Sequence, residues 1–170
     1  SATVDVSPSR VSIGTPSDLL LPPGGLNIRW PDEPKDQEDR LHRFKIDAVR
    51  AFARFNRLDK TVLGGSGAKV GVVTCGKSYM DVRQALQYLG VDDLEAKRLG
   101  LRVYKVGMTW PLEPEGLKEF SEGLDKIYVV EEKRGLLESQ VKELLYQQTG
   151  SPLVVGKQDV DGKELFPSTG

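Results

Sequence analysis

The chain has one cysteine, Cys75, and one histidine, His42, among its 170 residues. A lone thiol cannot close an internal disulfide, and this pair cannot build a zinc or iron–sulfur cage. No apolar run is long enough to span a bilayer, and no signal-peptide pattern opens the chain. Net charge is scarce too, because 24 Lys and Arg nearly cancel 25 Asp and Glu to leave −1. A surface so balanced gains nothing from a polyanion, which argues against nucleic acid and membrane surfaces as partners. A soluble, cytoplasmic α/β domain is the expectation, long enough to bury about 70% of its unfolded surface without staples. Ser1-Ala2 reads as a cloning remnant, and the ending Pro167-Ser168-Thr169-Gly170 as that of a piece from a longer protein.

What is present is organised around residues 69–79. Val70 to Cys75 is short, apolar and β-branched, the composition of a strand buried on both faces. Gly76 and Lys77 break the run. Ser78 with Asp81 then resembles a capping box for a helix whose Val82, Ala85, Leu86 and Leu89 face a sheet. Gly90 ends that helix, and Asp92 or Asp93 caps a shorter one closed by Gly100. Strands follow at 101–106, 127–130 and 153–155. Helices between them run through Leu117 and Phe120, with Pro114 in the first turn, and through Leu137, Val141, Leu144 and Leu145. Asp161-Gly162 marks a turn in a small hairpin; Asp159 and Asp161 resemble a calcium loop, but the ligand spacing then fails.

Upstream the composition changes. Residues 1–34 are rich in Pro, Ser and Gly and predict an extended linker, with a short edge strand where Leu26, Ile28 and Trp30 alternate. A helix over 37–57 carries an apolar stripe of Leu41, Phe44, Ala48, Ala51, Phe52 and Phe55, with Asp36 as N-cap. Its other face holds Arg40, Arg43, Asp47, Arg50 and Arg54, a solvated charged face in which Asp47 pairs with arginines one turn away. His42 sits there without a metal-ligand partner at helical spacing. The glycine-rich residues 63–68 read as a flexible joint. The expected organisation is residues 1–66 as an extended arm and amphipathic helix, and 67–170 as the α/β domain with its tail.

Gly71-Val-Val-Thr-Cys-Gly76-Lys77-Ser78 matches the phosphate-loop pattern letter for letter, and Glu131 and Glu132 close a later strand as a magnesium-assisting acid would. A nucleotide hydrolase using Gly76, Lys77 and Ser78 is therefore one reading. Against it, a phosphate loop must follow its strand and curl its N–H groups inward, whereas Gly71 falls inside the strand among β-branched residues. Gly76, Lys77, Ser78 and Tyr79 remain candidates for holding an anion or a neighbouring domain at a helix N-terminus. Cys75 lies near the same terminus with no histidine placed to activate it, so a buried thiol is the default. Thr109, Trp110 and Pro111 follow one strand; Glu131, Glu132, Lys133 and Arg134 follow another. These are candidate interface residues, with the two glutamates also candidate acid–base groups.

Three stretches, residues 74–86, 104–114 and 129–145, resemble indolepyruvate ferredoxin oxidoreductase, the first as Thr-Cys-Gly-Lys-Ser-Tyr-Met-Asp-Val-Arg-Gln-Ala-Leu. Residues 21–31 and the tail from Val155 to Gly162 are similar to the long form with fused large and small chains. The resemblance implies a 2-oxoacid oxidoreductase that decarboxylates an aryl pyruvate on thiamine diphosphate, passes electrons through iron–sulfur clusters to ferredoxin, and leaves an acyl-coenzyme A. It implies that this segment is the middle domain, a three-layer α/β/α sandwich with a mostly parallel sheet, similar to the C-terminal domain of transketolase. Such a domain packs against thiamine-binding domains in a parent that is a homo-oligomer. The sequence departs from the complete enzyme in having no Gly-Asp-Gly…Asn thiamine–magnesium motif and no cysteine set. Thiamine diphosphate, magnesium, iron–sulfur clusters and coenzyme A are thus expected in the parent, with no cofactor and no metal here. Three functions stay open: an assembly domain, the nucleotide hydrolase, and a coenzyme A or other anion-binding module using Lys77.

Overall fold

The computed structural model describes residues 12–27, 30, 32–146 and 148–167. The chain divides into two units, Ser1–Asn56 and Arg57–Gly170.

In the first unit, Pro34 opens helix α1 (Pro34–Arg40), its fixed φ suiting a helix's first turn. Asp36 lies inside that turn and is not the N-cap; the carbonyl of Glu33 takes the first N–H groups, those of Asp36 and Gln37, at 3.0 and 3.1 Å. A π-helical turn, Leu41–Lys45, leads into α2 (Ile46–Phe55). His42 is exposed on it. The Arg43 guanidinium pairs with Asp39 at 2.7 Å. The Asn56 carboxamide clasps the arm: Oδ1 accepts the Gly14 N–H at 2.8 Å while Nδ2 donates to the Gly14 carbonyl at 2.9 Å. A side chain at Gly14 would strike the Phe55 ring, 2.4 Å away. Of the edge strand expected near 26–30, Ile28 lies outside the described residues, and Leu26 and Trp30 are not in a strand.

The second unit is a five-stranded sheet in the order β1-β3-β2-β4-β5, with β1 (Lys60–Leu63), β2 (Val70–Cys75), β3 (Leu101–Val106), β4 (Lys126–Val130) and β5 (Leu153–Val155). The last four run parallel, and β1 lies antiparallel on the edge against β3. Thus the sheet starts before the glycine-rich segment, not after it. Gly64 turns the chain at φ 84°, and a Cβ there would lie 2.0 Å from the Leu101 carbonyl oxygen. That segment is a fitted corner.

Two helix layers cover the sheet. Helices α3 (Gly76–Tyr88) and α4 (Asp93–Leu99) join β2 to β3; α5 (Pro114–Ser121) joins β3 to β4, and α6 (Leu136–Leu145) joins β4 to β5. Leu117, Phe120, Leu137, Val141 and Leu145 pack on Val73, Tyr104, Val106, Ile127 and Val129 in the larger core. On the opposite face Leu63, Ala96 and Val103 are buried, with Val72, Val82 and Leu86 half-buried around them. The three-layer α/β/α sandwich expected from the sequence is what forms. Gly71 explains how α5 can cross so close: a Cβ on it would lie 2.6 Å from Leu124 Cδ1 and 3.0 Å from the Phe120 ring.

Local signals mostly decide the element ends. Asp92 caps α4 by accepting the Glu95 N–H at 2.9 Å, and Gly100 closes it at φ 69°. Ser78 does not cap α3, which begins at Gly76, whose φ of 51° turns the chain two residues earlier than the capping-box pattern predicts. Ser78 is buried within the first turn, and Asp81 takes an ion pair with Lys77 instead. Val82 and Leu86 do face the sheet, but Ala85 is exposed and Leu89 is 76% exposed. Only a narrow stripe of α3 is covered. The tail hairpin closes through the Gln158–Glu164 bridge, with the Asp159 carboxylate accepting the N–H groups of Asp161 and Lys163.

Candidate functional site

The connection from β2 leaves toward β3, whereas that from β4 leaves toward β5 on the far side. Between the carboxyl ends of β2 and β4 the chain direction switches, the place where open α/β sheets form a crevice. A cleft of about 280 Å³ lies there. It gathers Cys75, Gly76, Lys77 and Ser78 after β2, Thr109 after β3, and Glu131, Glu132, Lys133 and Arg134 after β4. Loops separated by more than fifty residues in sequence thus meet in one place. Tyr79 does not line it: its ring lies under the Lys105 ammonium, 4.9 Å from the centroid. Trp110 and Pro111, joined by a cis peptide bond, stand beside it; Pro111 is buried and Trp110 is 55% exposed.

The groups that looked reactive prove to be engaged. Glu131 is only 8% exposed, and its two carboxylate oxygens accept the N–H groups of Leu137 and Glu138 at 2.8 and 2.9 Å. It caps the first turn of α6, whose own N-cap position, Gly135, has no side chain to do so. The Glu131 carbonyl in turn accepts from Lys157 Nζ at 2.6 Å, so the second residue after β5 locks onto the end of β4. Lys157 N–H and Lys142 Nζ hold the Glu138 carboxylate at 2.8 and 2.6 Å. Burial raises the Glu138 pKa, but these donors outweigh it and hold the group below the ordinary glutamate value. Glu131 thus caps α6, a use of the carboxylate that neither the acid–base nor the interface reading of the sequence included.

Lys77 is fully exposed and points along its own helix to Asp81, 2.6 Å away, a partner that raises its pKa. Burial pushes the Cys75 thiol up, and the nearby charges of Glu131 and Glu132 push it further. The thiol stays protonated at neutral pH and is a poor nucleophile. The cleft's lining carries both signs of charge, Lys77, Lys133 and Arg134 beside Glu131 and Glu132. The phosphate-loop reading is overturned by geometry. Residues 70–75 pair in straight parallel register with β3 and β4, Gly71 opposite Arg102 and Ile127, so their N–H groups belong to the sheet.

Sequence reasoning passed over three residues that shape this end of the sheet. Gln140 brackets the turn after β3: Oε1 accepts the Leu112 N–H and Nε2 donates to the Thr109 carbonyl, both at 2.9 Å. Asp59 Oδ1 accepts the N–H groups of Gly107 and Met108 at 2.7 and 3.0 Å. Burial raises the Asp59 pKa against these two bonds, and Glu113 adds to the rise. Glu113 caps α5 through the N–H groups of Glu115 and Gly116. An acid directly before a helix-starting proline is a readable signal for Glu113. Gln140 and Asp59 gave none, since their partners lie 28 to 49 residues away.

Among the described residues no helix is long and apolar enough to cross a membrane, and no group of three His, Cys, Asp or Glu is placed to hold a metal ion. The chain is 30% identical over 141 residues to indolepyruvate oxidoreductase subunit IorA of Pyrococcus abyssi, covering 82% of this chain and 20% of that protein. It is 36% identical over 104 residues to the IorA subunit of Thermococcus kodakarensis, covering 61% of this chain and 14% of that one. The chain therefore spans about a fifth or less of the length of these curated relatives. Among solved structures, 2-oxoglutarate:ferredoxin oxidoreductase from Magnetococcus marinus, bound to 2-oxoglutarate, coenzyme A and succinyl-CoA, aligns with a TM-score of 0.51 and 20% identity. That alignment covers 81% of this chain and 22% of that one, and it bears on the fold alone. With residues 60–170 also matching the indolepyruvate oxidoreductase domain as a family, this chain belongs to that family.

Proposed function

We propose that the chain is a structural and assembly domain of a thiamine-diphosphate-dependent 2-oxoacid:ferredoxin oxidoreductase acting on indolepyruvate or a similar aryl pyruvate. The parent enzyme oxidatively decarboxylates its substrate to an acyl-coenzyme A and passes the electrons through iron–sulfur clusters to ferredoxin. It is a cytoplasmic homo-oligomer. Thiamine diphosphate, magnesium, the clusters and coenzyme A belong to other segments of that enzyme, and this domain holds its neighbours in register.

The observation that carries this reading is the state of the switch-point cleft. Glu131 caps α6, Lys77 is paired with Asp81, and burial and two carboxylates keep the Cys75 thiol protonated. The available donor set does not fit a diphosphate–magnesium group: both Glu131 oxygens are engaged by amides, which leaves Glu132 as the one other carboxylate of the lining to take a metal. The sole cysteine cannot bind a cluster. What the cleft offers outward is shape and contact: Trp110, Leu136, Lys133 and Arg134 stand exposed at its edge.

Isothermal calorimetry on the isolated chain tests the proposal. Magnesium with thiamine diphosphate, coenzyme A, and magnesium–ATP should each give no binding heat at millimolar ligand. Tight thiamine diphosphate binding would place cofactor chemistry on this chain and end the assembly reading. Coenzyme A binding abolished by Lys77→Ala would favour the anion-binding module instead.

A further inference from the structure

The backbone on either side of Trp110 is pinned, while the residue itself is half uncovered. The Gln140 carboxamide fixes the carbonyl before it, Thr109, and the N–H of Leu112 after it, each at 2.9 Å. The same Nε2 lies 3.2 Å from the Leu136 carbonyl, so one side-chain amide ties the Trp110 turn to the start of α6. Leu136 is itself 50% exposed. Two and three residues upstream come Arg134 and Lys133, the latter in the left-handed region at φ 53°. Both are exposed, and among the described residues neither pairs with a carboxylate. By contrast Lys77, Lys118 and Lys142 around them each have an acid within one helical turn. An indole on a fixed turn, a leucine beside it and unpaired cations nearby is the composition of a binding hot spot.

We propose that Trp110, positioned by Gln140, anchors this unit in an apolar pocket bordered by carboxylates on a neighbouring domain of the same subunit. Leu136 fills the same pocket, and Lys133 and Arg134 meet its acids. The inference rests on the assembly reading and narrows it to one lip of the cleft. Charge selects the occupant: an uncharged or basic surface would leave two cations unpaired beside buried apolar groups, whereas an acid-bordered pocket satisfies both. Gln140 contributes by holding the turn before docking, so that little freedom is lost when the indole goes in.

Hydroxyl-radical footprinting read by peptide mass spectrometry reports Trp110 and Leu136 individually. In the full-length subunit both should oxidise at least about fivefold more slowly than in the isolated chain, as full desolvation of an anchor requires. The isolated-chain rates should not change with protein concentration. Equal rates in chain and subunit would refute the proposal while leaving assembly through another face standing, and concentration-dependent protection would assign the lip to a second copy instead. Thiamine diphosphate binding to the chain would sink only the broader reading. Positioning by Gln140 has its own readout. The chain has two tryptophans, so a Trp30→Phe background leaves Trp110 as the one indole. Gln140→Leu should then add a fast component to its time-resolved anisotropy, and an unchanged decay would remove Gln140 from the mechanism.

Discussion

Replacing Glu131 by alanine separates a structural carboxylate from a functional one. The side chain is buried and accepts two N–H groups of the first turn of α6, Leu137 at 2.8 Å and Glu138 at 2.9 Å. Removing it leaves the Leu137 N–H dry and unpaired, a loss of about 1–3 kcal/mol. The Glu138 N–H is only partly buried and water can replace its partner, so its loss is about 0.5–1 kcal/mol. A negative charge taken from a helix N-terminus adds roughly 0.3–1 kcal/mol. Relief of the repulsion with Glu132 returns some of this. The net expectation for Glu131→Ala is about 2–4 kcal/mol.

Urea unfolding followed by circular dichroism, with the slope held equal to wild type, measures that difference directly. Glu131→Gln sharpens it, because the amide keeps one acceptor oxygen but sets an NH2 against the second N–H. It should fall about halfway, at roughly 1–2 kcal/mol. A cost below about 0.5 kcal/mol for both variants, within the range of ordinary surface substitutions, would refute the cap. A glutamate acting as acid or base in the assembled enzyme predicts the reverse pattern, in which the chain's stability barely moves and only turnover falls.

Other residues offer independent checks. Gly71→Ala forces a methyl within 2.6 Å of Leu124 Cδ1 and 3.0 Å of the Phe120 ring, and should destabilise by about 1–3 kcal/mol in the same assay; a neutral result would mean α5 does not press on β2. Thr74 is fully buried in β2 and its hydroxyl has no hydrogen-bond partner among the described residues, so Thr74→Val should stabilise by roughly 1 kcal/mol; a loss instead would reveal a polar partner for that oxygen. Asp59 has a folded pKa raised above its unfolded value of 3.8, by burial first. Its charged form thus opposes folding, and that penalty is absent below the unfolded pKa and grows as pH rises through the folded one. Stability of Asp59→Asn relative to wild type should improve from pH 3 to pH 7, and a pH-independent difference would contradict the assignment.

The strand-and-helix rhythm of the second unit was legible because its strands are apolar runs bounded by glycines, prolines and acids. Residues 101–106 and 153–155 form strands over the span expected, and Pro114 and Gly100 mark their helix ends. Strand β1 escaped because Lys60–Leu63 is four residues long, half exposed, and owes its conformation to pairing with β3 about forty residues on. Leu89 fitted the helical period but stays exposed, because amphipathic spacing cannot say how wide a stripe the neighbouring layer will cover. The convergence of the candidate loops was legible, and the hydrogen bonds their carboxylates make were not. Loops 76–78 and 131–134, with Thr109, converge as a switch-point crevice requires, since strand ends place them there whatever the side chains do.

A carboxylate at the end of a buried strand looks like a catalyst because the address is right, yet the same address faces uncapped helix N-termini. Glu131 is such a case, and four acids elsewhere in the loops and helix starts likewise accept from backbone amides. Asp59 holds Gly107 and Met108, Asp92 holds Glu95, Asp93 holds Gly64, Glu113 holds Glu115 and Gly116, and Glu131 holds Leu137 and Glu138. Each satisfies N–H groups that a short loop cannot pair by itself. An acid five to seven residues ahead of a helix that lacks its own capping side chain, as Glu131 is to α6, is more economically read as that helix's cap. The assembly role proposed above would give the domain that use for its carboxylates, since neighbours can be held in register only by loops that are themselves fixed.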